Sequence, residues 1–103
     1  MPVHNKLVRD KIPEIIGNTG KTAYSHILTK EEYIAELDKK LNEECVEYQA
    51  DKSLEELADM LEVMYAIAEA RGYSVAELER VRAEKAEKRG GFKDRIFLER
   101  VDE

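Results

Sequence analysis

Three helix-start signals constrain this chain more than any other feature. Thr29 is followed three residues later by Glu32, Ser53 by Glu56, and Ser74 by Glu77. A hydroxyl residue with an acid three places on can satisfy the free N–H groups of a helix's first turn reciprocally. The spacing predicts a helix from Thr29 to about Ala50, a second from Ser53 to a stop at Gly72, and a third from Ser74 to a stop at Gly90. Connections this short force consecutive helices to run antiparallel.

The predicted helices differ in how much apolar surface they carry. The first has a single stripe: Ile34, Leu37, Leu41, Cys45 and Tyr48. The second has two. Leu54, Leu57, Ala58, Leu61 and Tyr65 form one side, while Met60, Val63 and Ile67 form another roughly opposite. Such a helix must be covered on more than one side. In a chain of 103 residues, read as one domain over 1–103, two partner helices cannot supply that cover. The expected fold is therefore mainly α, an antiparallel helical bundle completed by oligomerisation as a homodimer or homotetramer.

The ends read differently. "RDKIPEIIGNTG" predicts a short helix with Pro13 near its first turn, closed by Gly17 or Gly20. "KTAYSHIL" and "KDRIFLERV" have strand-like composition, and the expectation is a small two-stranded β ribbon joining the termini.

Net charge is −6, but its distribution says more. Residues 1–30 carry +3, residues 31–79 carry −11 and residues 80–103 carry +2. An acidic middle between basic ends suits a site that holds cations centrally and grips an anion from its rim. It argues against general nucleic-acid binding, which needs a broad basic surface. With one cysteine, Cys45, no intrachain disulfide or CxxC site can form, and its expected role is that of a small core residue. His4 and His26 lack zinc-site spacing, and neither GxxxxGK[ST] nor GxGxxG occurs. No signal peptide, lipidation motif or long apolar run is visible, so no membrane association is expected and the expected location is the cytoplasm.

Within the acidic middle, Glu44 and Glu47 lie on the first helix of the hairpin, and Glu56 and Asp59 on the second. A spacing of three places both acids of a pair on one helical face. Glu44 follows Leu37 and Leu41 along the seam, where a leucine would be expected, and Glu56 and Asp59 lie beside the Met60–Val63–Ile67 side. Carboxylates brought together repel unless a hard cation that prefers oxygen ligands sits among them. The bland alternative makes Glu56 a capping acid and the other three solvated charges. Basic residues give a second signal. Lys85 and Arg89 end the third helix before Gly90 and Gly91, suited either to the helix dipole or to the β- and γ-phosphates of a nucleotide. Lys6, Arg9 and Lys11 form a further candidate phosphate clamp near the start, or else are solvated charges.

The acids Glu44, Glu47, Glu56 and Asp59, with "KLVRDKIPEII" before them and "K-x-x-x-RGGF" after, resemble the MazG-like, all-α nucleoside triphosphate pyrophosphohydrolases. The likeness is to a small branch similar to phosphoribosyl-ATP pyrophosphohydrolase. The resemblance implies that the four acids ligate Mg²⁺, or Mn²⁺ in its place, and serve catalysis. Lys85 and Arg89 would neutralise phosphate charge, and a nucleoside triphosphate would be cut between its α- and β-phosphates to give monophosphate and pyrophosphate. Dimers or tetramers are likewise implied. One departure is visible: eight residues separate Glu47 from Glu56, fewer than in many members, so the hairpin must turn tightly just after Asp51. Two other functions compete with this one. The same hydrolysis could act on phosphoribosyl-ATP in histidine biosynthesis, or the chain could be a non-catalytic helical dimerisation module.

Overall fold

A computed structural model describes residues 3–103. Four helices follow in order: α1 (Ile12–Asn18), α2 (Lys30–Asp51), α3 (Leu54–Ala70) and α4 (Val75–Arg89). The last three start where the caps predict. Thr29 Oγ1 accepts from the Glu32 N–H at 3.2 Å, and the Thr29 N–H donates to Glu32 Oε1 at 2.9 Å. Ser74 and Glu77 form the same reciprocal box. Thr29→Ala should lower the stability of the folded chain by about 1 kcal/mol, read as a fall in the urea midpoint at unchanged slope.

The tight turn after Asp51 is present. Lys52 takes a left-handed conformation with φ 58° and ψ 22°, and Ser53 already caps α3. Two residues thus reverse the chain, and α2 packs against α3 as an antiparallel pair. The direction is visible in the pairings. Arg71, just past α3, binds Asp38 early in α2 at 3.2 Å, while acids near the start of α3 meet Glu44 late in α2. α4 packs on the far end of α3, where Ala68, Tyr73, Leu78 and Val81 line a shallow groove. α1 carries Pro13 in its first turn and packs against none of the other helices. Gly17 lies inside it, and Gly20, with φ +85°, closes the turn that follows.

The expected β ribbon is not formed: the described residues contain no strand. Residues 21–28 and 93–101 run as irregular chain, with Tyr24, Ile27, Ile96 and Phe97 exposed. The physical reason is that an isolated two-strand ribbon is marginal without a third strand or a covering helix. Neither segment has one here.

The apolar stripe of α2 faces α3 as expected. Leu37 is buried, and Ile34, Leu41, Cys45 and Tyr48 are half-buried. On α3 the Met60–Val63–Ile67 side faces inward, with Val63 buried. The opposite side is bare. Leu54, Leu57, Leu61 and Met64 recur at steps of three and four and are all exposed, Leu54 at 82%. Only Leu37, Val63 and Ala68 are buried apolar side chains among the described residues.

The single chain is consequently extended and leaves much of its surface bare. It exposes 9602 Å². A folded monomer of 11.9 kDa is expected to expose about 6,000 Å². Its radius of gyration of 18.2 Å compares with about 13 Å for a compact chain of this length.

Candidate metal centre

The α2–α3 hairpin draws acids from both helices to one point. One carboxylate oxygen each from Glu44, Glu56 and Asp59 lie within 4.8 Å of one another. Glu44 arrives there because the seam of α2 turns it inward, and it is only 6% exposed. Burying a carboxylate without partners is costly. Glu44 Oε1 has Lys40 Nζ at 3.4 Å, one helical turn back, but Glu44 Oε2 is buried with no hydrogen-bond partner. Glu56 Oε2 is in the same position.

Glu56 makes only half of the cap that its position allows. Its N–H donates to Ser53 Oγ at 3.2 Å, so the backbone half of the cap is made. The reciprocal half, present at Thr29–Glu32 and Ser74–Glu77, is missing at Ser53. The Glu56 carboxylate does not reach back to its own cap; it turns into the acidic cluster instead. A side chain that gives up a helix cap to join three like charges is not accounted for as a capping acid. Glu32→Ala and Glu77→Ala should each lower the urea midpoint of metal-free protein, whereas Glu56→Ala should leave it unchanged or raise it.

The electrostatics follow from this crowding. Burial pushes the Glu44 carboxyl above the usual carboxylate range; the neighbouring Glu47 carboxylate adds to the rise, and Lys40 opposes it. Glu56 is also raised, first by desolvation and then by the charges of Glu47, Asp59 and Glu44. Glu47 thus stands beside the cluster, exposed on α2 and outside the group of converging oxygens. Asp59 is held from outside: Arg9 Nη2 donates to Asp59 Oδ1 at 2.7 Å. Four carboxylates outnumber the two cations beside them, Arg9 and Lys40, and Lys40 is shared with Glu43 at 3.8 Å, so the cluster keeps a net negative charge.

The donor set suits a hard divalent cation such as Mg²⁺ in kind: all are carboxylate oxygens, and Glu44 and Glu56 each keep one buried oxygen without a hydrogen-bond partner. The phosphate-binding candidates are dispersed. Arg9 reaches the cluster, while Lys6 and Lys11 are exposed and pair with none of the four acids. Lys85 and Arg89 are exposed on α4, which does not pack against α2, and the ion pairs made by α4 stay within the helix, Arg80–Glu84 and Arg82–Glu79. Lys40 was not among the residues singled out from the sequence. Its signal was there in the i, i+4 spacing to Glu44.

No family model and no solved structure matches the chain. A protein of Mycolicibacterium smegmatis, described as uncharacterized, is 49% identical over 45 residues, which make up 44% of this chain and 46% of that protein. The match thus spans less than half of that relative's length, and its description names no activity. No helix among the described residues is long and apolar enough to cross a membrane.

Proposed function

We propose that this chain is a Mg²⁺-dependent nucleotide pyrophosphohydrolase of the MazG-like kind, acting on a nucleoside triphosphate between its α- and β-phosphates. The observation that carries this reading is the convergence of Glu44, Glu56 and Asp59 with two buried carboxylate oxygens left without partners. In this reading Glu44, Glu56 and Asp59 hold the ion, or Mn²⁺ in its place, which when bound neutralises the polyphosphate, acts as a Lewis acid and makes water more acidic. Glu47, exposed beside the cluster, accepts the proton of the attacking water and passes it to solvent. The water oxygen bonds to one phosphorus of the α–β anhydride, and the bridging oxygen leaves with the other, giving monophosphate and pyrophosphate. The basic residues Lys85 and Arg89 would meet the phosphate tail. In the single chain they stand away from the acids, so this role requires either a different placement of α4 or a neighbouring copy.

A neighbouring copy is also what the exposed surface asks for. The excess over a compact monomer, roughly 3,600 Å², is of the size buried by obligate homodimers. The bare Leu54–Leu57–Leu61–Met64 stripe is the natural seam. Light scattering at micromolar concentration should give a dimer or tetramer mass, and Leu57→Glu with Leu61→Glu should lower it to the monomer's. A monomeric mass for the unaltered chain would contradict the assembly. The activity itself is tested with a panel of nucleoside triphosphates plus phosphoribosyl-ATP. Pyrophosphate should be released with Mg²⁺ and not with EDTA. Preference for phosphoribosyl-ATP would move the reading to the histidine pathway enzyme, and no release from any substrate would favour an interaction module.

A further inference from the structure

Among the described residues a single hydrogen bond joins residues 3–28 to the α2–α4 helices: Arg9 to Asp59. α1 itself packs on no other helix. The one polar link from the N-terminal stretch to those helices is thus a guanidinium placed on an acid of the candidate metal centre. It is the forked cation best suited to a carboxylate, and equally to a phosphate. Both partners are solvent-accessible, with Arg9 at 57% and Asp59 at 38% side-chain exposure. The bond can therefore be exchanged at little cost, since exposed pairs contribute little to folding.

We propose that Arg9 is a stand-in for the metal: its guanidinium holds Asp59 until a divalent cation takes that carboxylate, and it then transfers to the polyphosphate tail of the substrate. This rests on the metal-centre reading above and adds to it an order of exchange. The charge count favours the exchange. Withdrawing Arg9 makes the cluster more negative by one charge at the moment a doubly charged ion arrives, and the released guanidinium becomes a donor for the anion that follows. Lys40 cannot play this part, because it is tied one turn away on α2 to Glu44. Lys6 and Lys11 flank Arg9 in sequence and would follow it toward the same anion.

Competition at Asp59 has a signature that a merely structural arginine lacks. In Arg9→Ala, Mn²⁺ added alone to the 103-residue chain, read from the free-ion paramagnetic resonance signal, should bind about threefold to fivefold more tightly than to the unaltered chain. That is the range an exposed ion pair can shift an equilibrium. Inorganic tripolyphosphate, titrated calorimetrically onto Mn²⁺-saturated protein, should bind about tenfold more weakly. Arg9→Lys, which keeps the charge and loses the fork, should retain Mn²⁺ binding near that of the unaltered chain. Opposite signs for metal and polyphosphate support the exchange. Mn²⁺ affinity unchanged or weakened in Arg9→Ala overturns it while leaving the metal centre intact, as does unchanged tripolyphosphate affinity. Absence of Mn²⁺ binding in the unaltered chain and the variant alike overturns the metal centre, and the exchange falls with it.

Discussion

Glu44→Gln should reduce Mg²⁺-dependent pyrophosphate release at least ~100-fold, the scale on which loss of a charge that stabilises a transition state is felt. The same substitution should leave the metal-free protein as stable as before, or more so. Glu44 is 6% exposed, its Oε2 is orphaned, and Glu47 stands against it. Glutamine keeps the volume and removes the charge that is costly to bury. Asp59→Asn should behave alike in turnover. The pairing of lost activity with undiminished stability is what separates a functional acid from a structural one, and thermal unfolding without metal alongside a pyrophosphate assay reads both. If either variant unfolds instead, the acids hold the fold together and the hydrolytic account fails.

The second large effect is on stability itself. An ion that binds the folded cluster and not the unfolded chain stabilises by about 2.7 kcal/mol at one hundred times its dissociation constant. For a domain this small that is a rise in Tm of roughly 10 °C or more. EDTA should reverse the rise, and Glu44→Gln should abolish it. The pH dependence carries an independent sign. Glu44 and Glu56 have pKa values raised above those of the unfolded chain, so between the ordinary carboxylate value and the raised one the folded state binds more protons than the unfolded state. Stability of the metal-free protein should therefore rise as pH falls through the raised values toward the ordinary carboxylate range, and be lost as pH rises back through them. Glu32 and Glu79, whose values are lowered by the Thr29 cap and by Arg82, pull the other way only at more acid pH. Saturating Mg²⁺ should flatten the trend above the ordinary carboxylate range, because the ion supplies the positive charge that protons otherwise bring. A metal-free Tm that fell on mild acidification would mean that these two carboxylates are not crowded.

Much of this was legible in the residues, for local reasons. Caps and glycines act within one turn, so Thr29, Ser53, Ser74 and Gly90 place helix ends without reference to the rest of the molecule. Glu44 was visible because a charge interrupted a leucine seam, and the structure turns it inward as the seam requires. What Glu56 does was not legible, since a cap acid and a site acid have the same sequence spacing; only the direction of the carboxylate distinguishes them. The ribbon expected of residues 21–28 and 93–101 was misjudged for a related reason. Strand composition describes a surface that suits a sheet, and no sheet is there to receive it. Arg9 at Asp59 spans fifty positions and obeys no periodicity, so no pattern in the chain announces it.

The most direct test of the central claim is a crystal of the protein soaked in Mn²⁺, with anomalous differences recorded at the manganese edge. A peak bounded by carboxylate oxygens of Glu44, Glu56 and Asp59, at about 2.1 Å to 2.2 Å, is the expected result. Density free of any peak there, with Glu56 folded back onto the Ser53 N–H, would contradict it.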